Sequence, residues 1–275
     1  MSPLVAILIL ALIALFLYWQ LVLAEGAYLG KRVVAFLYNI TAKKYNHIKH
    51  YSAKSDAEYL GIPLSLSLQG TTTPLVLDVA TGTSRLPLTL FNQKSFRGQV
   101  VALDNARRML NEATLYVAAY RDRLTWVWQH SVPLPFEDNS FDAVTCLEAL
   151  EFMPGTPAAL QECIRVLKPG GILLVSNRIS SGRWQMPGKT LRQQNFEAML
   201  KAFGQSDVTT QIWQIDYDLV WSIKPAGPTD TRSADALDAL RCPTCQAKFQ
   251  REEQALICAN QHRFPIGADG VIEML

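Results

Sequence analysis

Four residues late in the chain carry the donor atoms and the spacing of a metal site. Cys242, Cys245, Cys258 and His262 form the pattern Cys-x2-Cys-x12-Cys-x3-His. Two closely spaced pairs, separated by a hairpin-length segment, let soft and borderline donors converge tetrahedrally, as zinc prefers. A module this small has little core of its own, so bound metal would supply most of its folding energy. A second constellation, earlier in the chain, suits a nucleoside. Leu75 to Val79 is apolar and β-prone, carries Asp78, and runs into the small residues Ala80, Thr81, Gly82, Thr83 and Ser84. Such a strand-to-loop turn lets the backbone come close to a nucleoside-bearing cofactor. The next apolar run, Val100 to Leu103, ends in Asp104. An acid at that point of a βαβ unit is placed to bond two ribose hydroxyls. No Gly-x4-Gly-Lys-Ser/Thr loop is present, so a nucleoside triphosphate is not the natural ligand.

The stretch from Val76 to Ser84 resembles the first motif of class I S-adenosylmethionine-dependent methyltransferases, hydrophobic-hydrophobic-Asp-x-Gly-x-Gly-x-Gly. Ala80 and Ser84 stand at the first and third glycine positions, and Gly82 keeps the second. Asp104-Asn105-Ala106-Arg107-Arg108-Met109-Leu110 is similar to the family's Asp-x-Ser-x-x-Met-Leu. The most specific local match is Leu134-Pro135-Phe136 through Ser140-Phe141-Asp142-Ala143-Val144. Downstream, Lys168-Pro169-Gly170-Gly171 ends a helix and starts the strand Ile172 to Ser176. The resemblance implies an α/β fold with a seven-stranded, doubly wound, Rossmann-like sheet over residues 71–225. It implies S-adenosylmethionine as cofactor, held by Asp78, Ala80, Thr81, Gly82, Ser84, Asp104, Asn105, His130, Ser131 and Cys146.

One position departs from the family. Where an aspartate usually accepts from the adenine amine, four residues before Leu134, this chain has His130. A neutral imidazole accepts one hydrogen bond and its protonated form accepts none. Two readings stand: a pH-sensitive adenine contact at His130, or Ser131 and backbone groups doing the work with His130 at the rim. Acceptor-side candidates follow the fourth strand at Cys146, Glu148 and Glu151. Glu148 could take a proton from a hydroxyl or phenol; either glutamate may equally be read as a solvated residue at a helix start. Cys146 and Cys163 are most simply reduced core thiols.

These residues need elements to carry them. Residues 1–24 are apolar from Pro3 almost throughout, long enough for one transmembrane helix. No Lys or Arg precedes the run, which argues against a cleaved signal peptide. Lys31, Arg32, Lys43, Lys44 and Lys49 follow it, so the positive-inside rule places the remainder in the cytoplasm. Residues 25–70 read as a helical, membrane-proximal lid; His47 and His50 could share a helix face but have no carboxylate or cysteine beside them. A helix over Thr190 to Phe203 and strands Val208 to Ile215 and Tyr217 to Ile223 finish the sheet. Residues 226–238 read as a linker and 239–275 as the zinc ribbon. That ribbon is similar both to one found in ribosomal RNA guanine methyltransferases and to the activator subunits of tRNA and translation-factor methyltransferases.

A net charge of +2 gives no general argument for nucleic acid. In the ribbon, Arg241, Lys248, Arg251 and Arg263 are balanced by Glu252, Glu253, Asp269 and Glu273. The expectation is a membrane-anchored methyltransferase acting on a small or lipophilic acceptor, its ribbon packed in cis on the catalytic domain. The alternatives are an RNA or protein methyltransferase whose ribbon holds the macromolecule, and a non-catalytic zinc-ribbon interaction protein with a vestigial cofactor fold.

Overall fold

Aliphatic and β-branched runs buried on both faces make the centre of the molecule. The structure, a computed structural model, describes residues 2–179, 186–227 and 235–275. Strands β1 (Leu75–Val79), β2 (Gln99–Asp104), β3 (Leu124–Trp128), β4 (Phe141–Cys146) and β5 (Leu167–Arg178) run parallel, and β6 (Ser206–Ile212) and β7 (Tyr217–Ile223) close one edge as an antiparallel pair. β1 is buried along its whole length, as a central parallel strand covered on both faces must be. Pro169-Gly170-Gly171 does not interrupt β5 but bulges from it: Phe141 faces Leu167, and the next partner pair is Ala143 with Ile172.

Ahead of the sheet come α1 (Pro3–Tyr18), continued by a π-turn to Leu23, then α2 (Lys31–Thr41), α3 (Tyr45–Lys49), α4 (Ala53–Asp56) and α5 (Ile62–Ser67). The helix from Pro3 to Leu23 is long and apolar enough to cross a membrane and is almost wholly uncovered by protein. Helices α6 (Arg85–Phe91), α7 (Arg107–Tyr116), α8 (Thr156–Val166) and α9 (Gln193–Ala202) wrap the two faces of the sheet. α9 starts later than the sequence suggests, because Arg192 before it is extended.

The sheet has the seven expected strands and one more. Its order is β11-β3-β2-β1-β4-β5-β7-β6, and the added strand, β11 (Val271–Glu273), comes from the ribbon. Before it, α10 (Ala236–Ala239) spans the end of the segment read as linker and the first ribbon residue; linker residues 228–234 lie outside the described residues. Strands β8 (Phe249–Glu252), β9 (Ala255–Cys258) and β10 (Arg263–Pro265) form the ribbon's own antiparallel sheet. β11 then lies parallel to β3, Val271 opposite Trp126 and Glu273 opposite Trp128. Arg107 on α7 bonds both carboxylate oxygens of Asp269 at 2.9 Å and reaches Glu273 as well. β1 lies between β2 and β4, so the strand order reverses there and a crevice opens beyond the carboxyl ends of these strands.

Candidate active site

The loop after β1 keeps a glycine-type backbone without most of its glycines. Ala80, Gly82 and Ser84 have φ of 57°, 57° and 69°. A residue with a Cβ pays about 1–2 kcal/mol for that conformation. Neighbouring bonds hold it in place: the Thr81 N–H donates to Leu103 O at 3.0 Å, and the Gly82 N–H to Asp104 Oδ2 at 2.8 Å. Asp104 Oδ1 accepts from the Ala106 N–H at 2.8 Å. Asp78 Oδ1 accepts from the Thr145 hydroxyl at 2.7 Å. Burial pushes both acids up to about 6, against the pull of these hydrogen bonds.

A cavity of about 740 Å³ opens from this loop. Its lining includes the polar or small residues Ala80, Gly82, Asp104, Asn105, His130 and Ser131. It also includes the apolar and aromatic residues Val34, Tyr38, Tyr45, Phe152, Met153 and Pro154. A smaller space of about 390 Å³ shares the loop wall and adds Asp78, Thr81, Tyr51 and Arg85. The His130 N–H donates to the Gln129 side chain at 2.7 Å, while His130 Nδ1 is buried with no partner among the described residues. Burial, with Lys31 and Arg32 nearby, lowers the His130 pKa and keeps the ring neutral. A neutral ring nitrogen buried in the cavity wall and lacking a donor fits an adenine amine, and Asp104 fits a ribose.

Glu148 lines both spaces. It sits at φ 51°, its N–H donating to Ser176 Oγ at 2.6 Å. Its carboxylate accepts from Lys49 at 3.1 Å, Arg85 at 2.5 Å and Gln214 at 3.1 Å. Arg85 in turn pairs with Asp56 at 2.6 Å and lies between the rings of Tyr51 and Trp213. Glu148 thus ties the helices before β1 to the core.

Three sequence candidates are placed away from the cavity. Cys146 is fully buried, and burial pushes its thiol far up. Glu151, read as a solvated or proton-accepting residue, is 1% exposed; it bonds the Tyr217 hydroxyl and pairs with Arg178. Ser84 is 0% exposed and shapes the loop from beneath. Conversely, sequence reasoning missed Lys31, Val34 and Tyr38 as cavity residues, although their i, i+3, i+7 spacing marks one face of α2.

The ribbon brings Cys242, Cys245, Cys258 and His262 together, their ligand atoms all within 4.8 Å of one another. Cys242 Sγ lies 3.5 Å and Cys258 Sγ 3.4 Å from His262 Nδ1, and Cys245 Sγ lies 3.6 Å from Cys258 Sγ. Tetrahedral zinc bonded at ~2.3 Å to sulfur spaces its ligands by roughly 3.5–3.8 Å, so the quartet fits that ion. The His47 and His50 rings lie 5.4 Å apart, tilted to one another, and gain no third ligand among the described residues.

This α/β sheet and its crevice are similar to those of class I S-adenosylmethionine-dependent methyltransferase domains, and a zinc-ribbon-like Cys/His cluster follows. Residues 77–175 match the family described as "Methyltransferase domain", and residues 240–275 match the zinc-ribbon family described as "RlmA, N-terminal". The demethylmenaquinone methyltransferase of Symbiobacterium thermophilum is 41% identical over 98 residues, covering 35% of this chain and 39% of that protein. That of Desulfitobacterium hafniense is 34% identical over 115 residues, covering 41% and 44%. The chain therefore spans less than half the length of these relatives. A methyltransferase structure from Aquifex aeolicus shares the fold at TM-score 0.50 and 20% identity, over 62% of this chain and 93% of that one. A chain from the complex of the Haloferax volcanii Trm112 methyltransferase activator with a putative methyltransferase shares it at 0.51 and 19%, over 62% and 90%.

Proposed function

We propose that this chain transfers a methyl group from S-adenosylmethionine to a small, lipophilic acceptor, anchored by α1 with its catalytic domain on the cytoplasmic side. One observation carries the reading: a single cavity is lined both by Asp104 and His130, suited to a nucleoside, and by the apolar and aromatic Tyr38, Phe152 and Met153. The quinone-related names of the relatives support an acceptor of that kind. Held there, the cofactor would supply an electrophilic methyl on a sulfonium, to be taken by an acceptor atom that gives up a proton. The chain's own contribution is alignment and exclusion of water. Asp104 orients the ribose, Asn105, His130 and Ser131 border the adenine, and Ala80 and Gly82 bring the backbone close. Glu148, occupied by Lys49 and Arg85, holds the lid closed over the acceptor. Zinc at the ribbon quartet is structural, since four protein ligands leave no open position.

The RNA reading has little in the ribbon to support it. Arg241 is buried against Glu137, Arg263 pairs with Glu252, and the ribbon's acids Asp269 and Glu273 engage Arg107. The deciding experiment incubates membranes holding the full chain with methyl-labelled cofactor. Label in the organic-soluble fraction is expected; label confined to RNA or protein overturns the acceptor assignment. Failure of the chain to bind S-adenosylhomocysteine in calorimetry overturns the enzyme itself.

A further inference from the structure

Helix α2 has two working faces. Its inner face, Lys31, Val34 and Tyr38, lines the cavity. Its outer face shows Arg32, Phe36 and Ile40 at i, i+4 and i+8, preceded by Leu29. Phe36 and Ile40 are 61% and 59% exposed, and among the described residues no protein covers them. Arg32 lies at one end of this apolar stripe, and exposed Lys43 and Lys44 lie at the other. An apolar stripe bordered by cations matches the physics of a helix lying in a lipid headgroup layer.

The joint between α1 and α2 fixes where that stripe sits. Ala24 and Ala27 are buried against Met186, with Phe152 packed on the same cluster. The Tyr28 hydroxyl donates to Pro187 O at 2.6 Å, and its ring lies 5.4 Å from that of Trp19 at the foot of the apolar helix. The Tyr38 hydroxyl donates to Glu25 at 2.8 Å, so the inner face is tied to the same turn. A helix leaving the bilayer through this joint cannot hold α2 at arm's length from the surface.

We propose that the outer face of α2 is embedded in the anionic headgroup layer of the membrane that α1 crosses, so that the acceptor chamber opens sideways onto the lipid. The substrate class is then an acceptor with a long hydrocarbon tail, which stays in the leaflet while its head enters the cavity that α2 lines. The inference rests on the membrane-anchored methyltransferase reading for its substrate, but its location claim does not.

The test reconstitutes the full chain in vesicles of phosphatidylcholine and phosphatidylglycerol. An environment-sensitive fluorescent amino acid replaces Phe36 or Ile40, with Ile215, 88% exposed on the β6–β7 hairpin, as the control. Quenching at 36 and 40 by brominated lipid, with iodide quenching only 215, is the expected result. Iodide quenching at all three positions overturns the proposal, and so does protection from both quenchers, which would mean a protein partner or second copy covers the face. In the same vesicles, Phe36→Asp with Ile40→Asp should lower methylation of a long-tailed acceptor at least tenfold relative to the same head group with a short tail. Equal loss for both acceptors overturns lateral entry. Absence of cofactor binding sinks the methyltransferase reading and leaves the quenching result standing.

Discussion

Asp78 and Asp104 enter the binding equilibrium as acids that ionise late. Both titrate at about 6 in the folded chain, against 3.8 for an ordinary aspartate. A raised folded pKa means that the folded chain holds these protons more tightly than the unfolded one. They therefore favour folding at low pH and withdraw that support as pH rises from about 4 through 6. A bound cofactor brings hydroxyl donors and a cationic sulfonium, both of which favour the ionised carboxylates. Calorimetry near pH 6, repeated in buffers of different ionisation enthalpy, should therefore show net proton release on binding. His130 acts in the same sense, because its lone pair is lost on protonation. Affinity for S-adenosylhomocysteine should weaken as pH falls through about 6, where the two aspartates gain protons, and further through the lowered His130 pKa; His130→Ala should leave the first fall and flatten the second. Ser84 offers a stability test. Its hydroxyl is buried without a partner among the described residues and its φ is 69°. Ser84→Gly should raise stability by about 0.5–1 kcal/mol in urea melts, relief of strain outweighing the flexibility gained by the unfolded chain.

Among the elements, β11 has the broadest reach. Its Met274 N–H donates to Trp128 O at 3.0 Å, and the Gln129 side-chain amide donates to Met274 O at 3.1 Å. The other atom of that amide holds the His130 N–H. Ribbon, β3 and the nucleoside end of the cavity are thus joined through one side chain. Cys242→Ser or Cys258→Ser should lower the Tm of the whole chain, not of the ribbon alone, and weaken cofactor binding. Gln129→Ala should weaken binding severalfold with a smaller change in Tm, and independent melting of the two parts would contradict both expectations. Much of this site could be read from the chain. The apolar run before Asp78, Asp104 at the end of the next strand and the four metal ligands announce themselves by local spacing. What local spacing cannot show is who meets whom across the fold. Cys146 and Glu148 are two residues apart, yet the strand buries the first, and a left-handed turn delivers the second to the cavity. The Lys49–Glu148–Arg85 cluster likewise joins segments far apart in sequence, and the partner of β11 lies on the opposite side of the catalytic sheet's construction order.

For the whole molecule, ring contacts join Trp19 at the foot of the apolar helix to Tyr28, and Tyr38 on α2 to Phe152 after β4. Fusing a fluorescent protein after Leu275 should give cytoplasmic fluorescence, while alkaline phosphatase at the same point should stay inactive; the reverse pattern would invert the topology. The addition of β11 to the sheet also has a consequence in time. The segment through Met274 reaches back 145 residues to Gln129, so a growing chain has its N-terminal apolar helix and seven strands made while the β3 edge is still open. Closing that edge waits for the ribbon, and the ribbon waits for its metal. Loop closure over such a distance adds little to the free energy but slows assembly. Maturation should therefore show a late phase whose rate rises with zinc supply, and newly made protein should pass through an interval in which it is nearly folded but does not yet bind S-adenosylhomocysteine.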